Sequence, residues 1–205
     1  MDQGECFERE ARLLDIFASF QGRNALTTEG PDWERQRRLL TPAFSPKRMA
    51  GYMGLMRDAI EASLADELPA EAGQGAVVDV DFLTTRITMD VILRTLFSHA
   101  TSHEEAMRVS VAIRVLTRQS MREVFWAWVP PAWLPHPGRA AKQASLRVLH
   151  GLIERHIAAR SARTATEAGE GDVLDRLLAA RDDASAGGGA GLSAQEVHDN
   201  CVLLF

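Results

Sequence analysis

Lysine is almost missing from this chain. Of its 23 cationic side chains only Lys47 and Lys142 are lysine, and arginine supplies the rest. Arginine's planar fork suits carboxylates and phosphates, so the excess points either to anionic ligands or to a plain compositional bias. The net charge of -5, with no basic face in evidence, argues against a nucleic-acid partner. Two cysteines, Cys6 and Cys201, cannot build a disulfide framework and point to a reducing compartment. No apolar run approaches the roughly 20 residues that span a bilayer, so no transmembrane segment is expected. The stretch from Met1 to Glu10 is acidic where a secretory signal is basic and apolar. The cytoplasm is the expected setting. What the chain does have is 205 residues that are 46% hydrophobic and 25% charged, enough for a sizeable core and too apolar for disorder.

The periodicities are helical. Ser45-Pro46 reads as a cap with proline in the first turn, followed by Met49, Met53, Met56, Ile60 and Leu64 at the spacing of one buried face. That helix is expected to stop near Pro69. Gly73 and Gly75 then lead to Val77 and Val78, the one candidate for a short β element, near 76–80. Asp81 is placed to cap a well-covered helix from Phe82 to Phe97, and Ser102 with Glu105 forms a capping box for another through Leu116. Four prolines and three tryptophans between Phe125 and Pro137 rule out a continuous helix there. Leu146, Leu149, Ile153 and Ile157 mark a long helix, and Asp172 starts one that runs to Arg181. Residues 183–191 read as a Gly-rich loop, and Ser193 with Glu196 as a second capping box. The helix it opens presents Val197, Cys201 and Leu204 on one face and reaches Phe205 without a C-cap. A capped, increasingly apolar helix that stops so abruptly is expected to belong to a longer chain.

Most chemical constellations fail on spacing. No serine lies in a Gly-x-Ser-x-Gly elbow, and the glycines near 187–191 do not end in Lys-Ser/Thr. His99 and His103 have a metal-compatible spacing, but Ser102 reads as a helix cap between them and no third ligand stands out. Cys201 reads as a small core residue. Trp33 and Arg37 differ. Four residues apart on a helix that starts at Pro31 and ends before Pro42, they share a face one turn apart. An indole N–H beside a guanidinium offers donors only, which suits a carboxylate ligand. A packed indole with the guanidinium stacked on its ring fits the same spacing.

That segment, Trp33-x-x-x-Arg37 followed by Pro42-Ala43-Phe44-Ser45, resembles the haem-contacting helix of the haem-thiolate monooxygenases, the cytochrome P450 family. The likeness continues in order. Phe20-Gln21-Gly22 to Leu26-Thr27 is similar to the loop before that helix. The Trp-Val-Pro-Pro-Ala-Trp-Leu-Pro run is similar to the connection roofing the substrate channel. Gly171 to Leu178, Leu192 to Val197 and Asp199 to Phe205 are similar to the approach and first half of the long central helix. The resemblance implies haem as cofactor, with Trp33 and Arg37 bonding a haem propionate and Phe20 and Phe205 at the substrate pocket. It implies a small apolar organic substrate, O2 and a redox partner, either a ferredoxin or a flavoprotein reductase. It also implies a mainly α fold, with residues 1–205 forming a single partial domain of an incomplete cytochrome P450 fold.

The departures are specific. The Ala-Gly-x-Glu-Thr oxygen-activating turn and the Phe-x-x-Gly-x-x-x-Cys loop do not occur, and no Glu-x-x-Arg pair follows the central-helix segment. Cys201 cannot replace the axial thiolate, because it falls in the central helix. The chain alone is therefore expected to be inactive, with no catalytic residue and no metal ligand of its own. The alternative from another class is an all-helical ligand-sensing or protein-interaction module without haem.

Overall fold

Helix starts follow local capping chemistry with small shifts from expectation. A computed structural model describes residues 9–67, 77, 79–97, 102–126, 134, 137–162, 172–182 and 191–205. Among these residues there are eight α-helices and no strand, so the chain is mainly α. They are α1 (Ala11–Gln21), α2 (Gly30–Leu40), α3 (Pro46–Glu67), α4 (Val80–Phe97), α5 (His103–Phe125), α6 (Arg139–Ser161), α7 (Val173–Asp182) and α8 (Ala194–Leu203). A 3-10 turn, Thr41–Phe44, joins α2 to α3 at Pro42, where an α-helix cannot continue.

The capping box at α8 is complete: Ser193 accepts from the Glu196 backbone N–H, and Glu196 accepts from that of Ser193. Ser102 caps α5 in one direction only, because the Glu105 carboxylate bonds Arg155 of α6 instead. Asp79, not Asp81, caps α4 by accepting from the Phe82 N–H at 3.1 Å. Asp81 falls in the first turn and pairs with Arg114. Helix α5 continues past Leu116 to Phe125 because its apolar period is not interrupted before the tryptophan-rich stretch. Val77 is fully exposed and outside any strand; residues 76 and 78 of the expected β element lie outside the described residues. So do residues 183–190 of the Gly-rich loop, His99 and most of the proline-tryptophan stretch.

The core gathers Leu93, Leu96 and Phe97 of α4, Val109 and Leu116 of α5, Leu149, Leu152 and Ile153 of α6, Leu174 and Leu177 of α7, and Val197, Cys201 and Val202 of α8. Arg160 ties three elements together: it pairs with Asp172 at 2.5 Å and Asp175 at 2.8 Å and donates to the Phe97 carbonyl at 3.0 Å. Helix α3 departs from expectation. Tyr52, Ala59 and Ser63 face inward, whereas Met49, Met53 and Ile60 are exposed. The methionine stripe is rotated from the buried face by roughly 80° at 100° per residue. The inner face is the one that packs along α4, with Ser63 Oγ donating to the Asp90 carboxylate at 3.2 Å.

Candidate functional site

Helix α2 is docked through its polar side chains. Arg35 and Gln36 point toward α8: Arg35 pairs with the Glu196 carboxylate and donates to the Gly191 carbonyl at 3.0 Å, and the Asn200 amide donates to Gln36 Oε1 at 2.9 Å. Gln36 is 1% exposed. Burial works to raise the Glu196 carboxyl, but Arg35 and the Ser193 cap outweigh it and hold it below the usual carboxylate range. Directional bonds rather than apolar contact therefore fix the rotation of α2 about its axis.

That rotation leaves Trp33 half-buried and Arg37 exposed, with the guanidinium carbon 5.0 Å from the indole ring centre. The stacked arrangement is present. Among the described residues no carboxylate meets Arg37, so its donors are available to a ligand.

Phe20 and Phe205, 185 positions apart by their residue numbers, border one cavity of about 140 Å³ between α1, α5, α6 and the end of α8, with Phe17, Leu116, Leu149 and Val202. Phe20 stands on the last turn of α1; the expectation of a loop there is corrected, since the loop begins at Gly22. The apolar spacing Leu13, Leu14, Phe17 and Gln21's neighbour Phe20 was a legible signal for that helix. Cys201 is wholly buried, and burial pushes its thiol up to about 12, so it is neutral and inward-facing.

A second polar array went unmarked in the sequence. Asp199 of α8 accepts from the Arg23 N–H at 2.8 Å, from Gln195 at 2.8 Å and from His198 Nδ1 at 3.2 Å. His198 Nε2 lies 3.1 Å from His150 Nδ1 of α6. With Nδ1 of His198 donating to Asp199, its Nε2 accepts from His150, an assignment fixed by the network. Asn200 also accepts from the Ala25 N–H at 3.2 Å. Helix α8 thus holds both α2 and the loop that precedes it. Partners so far apart in sequence leave no periodic trace.

The family model for Cytochrome P450 matches residues 1–205. This chain belongs to the cytochrome P450 family. It is 30% identical over 184 residues to cyclooctatin synthase of Streptomyces melanosporofaciens, covering 90% of this chain and 38% of the relative. It is 28% identical over 201 residues to pentalenene oxygenase of Streptomyces avermitilis, covering 97% of this chain and 41% of that protein. Cyclooctat-9-en-7-ol 5-monooxygenase of Streptomyces melanosporofaciens is 25% identical over 204 residues, covering 100% of this chain and 40% of the relative. The chain spans about two fifths of the length of these relatives.

Membership of the cytochrome P450 family implies haem. A haem edge carries propionates, and an exposed guanidinium stacked over an indole ring, with no carboxylate of the described residues in reach, fits such an anion. No helix among the described residues is long and apolar enough to cross a membrane.

Proposed function

We propose that this chain is part of a haem-thiolate monooxygenase that inserts one atom of O2 into a small apolar organic substrate. Electrons come from a ferredoxin or a flavoprotein reductase, and the setting is the cytoplasm. The observation that carries the proposal is the donor-only Trp33–Arg37 pair, left without a carboxylate on a chain of this family. The relatives' names, an oxygenase and a monooxygenase among them, favour oxygen insertion over the sensing-module alternative.

In this reading the Trp33 indole N–H and the Arg37 guanidinium hold a haem propionate by charge-assisted hydrogen bonds. Phe20 and Phe205 form part of the substrate pocket wall, where apolar rings exclude water from the ligand. When bound, the haem would supply the oxygen-activating chemistry, with a thiolate as its iron ligand. That thiolate does not come from Cys201, which is neutral and enclosed by the core. The 205-residue chain by itself is therefore inactive.

Haem transfer to an apo-globin acceptor, followed in the full-length haem-loaded protein, tests the anchors. Arg37→Ala should raise the haem-loss rate about tenfold or more, the worth of one charge-assisted hydrogen bond, and Trp33→Phe should raise it less. Unchanged loss rates in both variants overturn the propionate role. A thiolate-type Soret band in the reduced carbon-monoxide spectrum of the 205-residue chain overturns its inactivity.

A further inference from the structure

The cavity bordered by Phe20 and Phe205 is not wholly apolar. Gln21 of α1 and Ser120 of α5 also line it. Ser120 is 0% exposed, and neither its Oγ nor Gln21 Oε1 has a hydrogen-bond partner among the described residues. A buried oxygen left unpaired is costly, and such groups are rare enough in folded proteins that each calls for an explanation. A serine inside a helix ordinarily repairs itself by donating to the carbonyl four residues back, as Ser110 does to Ala106 at 2.9 Å. Ser120 makes no such bond.

Resting on the reading of this cavity as the substrate pocket, we propose that Gln21 and Ser120 are specificity-determining residues that select a ligand bearing a hydroxyl. Gln21 Oε1 can only accept, so the ligand must bring a donor. Ser120 Oγ both donates and accepts. A hydroxyl gives and takes through one atom and satisfies both kinds of partner. A ketone leaves Gln21 Oε1 unpaired, and a hydrocarbon leaves both oxygens so. The volume of about 140 Å³ admits a single six-membered ring, much as an apolar cavity of about 150 Å³ accepts benzene. The class is therefore a compact alicyclic alcohol, or that portion of a larger substrate.

Cyclohexanol, cyclohexanone and cyclohexane, matched in size, test this in the full-length protein. Binding is read by ligand-observed NMR and calorimetry, which need no haem signal. Cyclohexanol should bind about tenfold tighter than cyclohexane, with the ketone between, on the scale of one buried hydrogen bond. Ser120→Ala and, separately, Gln21→Met should each flatten that ranking while leaving cyclohexane affinity within about twofold. Equal binding of the three compounds, no binding of any, or a ranking that survives both substitutions overturns the proposal. Ser120→Ala removes an unpaired hydroxyl and should not lower the denaturation midpoint; if it does not fold, Gln21→Met decides alone. The oxygenase reading is tested apart from this, by the carbon-monoxide spectrum of the same protein. A selective pocket in a protein without a thiolate-type band would sink that reading and leave the alcohol selectivity standing.

Discussion

Gly22 leaves α1 with φ of 71° and ψ of -161°, a region essentially reserved for glycine. A Cβ there would also run into the Asp199 carboxylate. Both terms act against any side chain, so Gly22→Ala should lower stability by about 2 kcal/mol or more, read as a fall in the urea midpoint. A midpoint unchanged within error would mean that Asp199 does not press on this turn. The same residue scale shows what the sequence discloses. The Trp33–Arg37 pair was legible because both partners sit one turn apart on one helix. Cys201 was legible as core from its apolar neighbours. Gln36 with Asn200, and Gln21 beside Ser120, were not, because each pairing depends on helices brought together from distant parts of the chain.

At the scale of elements, the joint between α6 and α8 is the pH-sensitive one. Burial, and next the neighbouring His198 ring, hold His150 below the ordinary histidine value of 6.5, while Asp199 and Glu154 work the other way. A depressed histidine stays neutral in the fold but takes up a proton when unfolded. Its contribution is complete above 6.5 and is lost as pH falls through the depressed folded value. Stability should therefore decline below 6.5, with a slope of at most about 1.4 kcal/mol per pH unit for the one proton. Burial works to raise the Asp199 carboxyl, but His198, Gln195 and the Arg23 N–H outweigh it and leave it low. Its contribution is thus present above the ordinary carboxylate value of 3.8 and is lost only at still lower pH, a separate window. Urea midpoints from pH 7.5 to 5.5 give the slope, and His150→Gln, which can still donate to His198, should flatten it. A slope unaltered by that substitution would assign the effect to another group. The helices themselves were readable from caps and periodicity, whereas a cap moved or stayed half-made where a tertiary partner competed, as Arg114 does for Asp81 and Arg155 for Glu105.

At the scale of the whole molecule, apolar surface decides how the chain behaves by itself. Met53 is 64% exposed, and Met49, Ile60 and Phe44 stand exposed close by in sequence, the first two on the same face of α3. The period of this stripe promised burial, but periodicity reports only that apolar residues share a face, not that a partner element covers it. Helix α3 packs along α4, with Ser63 bonding Asp90, on the face that buries Tyr52, Ala59 and Ser63, and Met49 and Met53 are left outside. A contiguous uncovered stripe of this kind promotes association. The 205-residue chain should bind an apolar dye such as ANS strongly and form concentration-dependent oligomers in light scattering. Replacing Met53 and Ile60 together by glutamine removes apolar surface without opening a cavity. The double variant should lose much of the dye signal and scatter less, with its urea midpoint shifted by no more than about 0.5 kcal/mol. If the variant unfolds instead, those side chains are packed rather than uncovered; if dye binding persists undiminished, the sticky surface lies elsewhere.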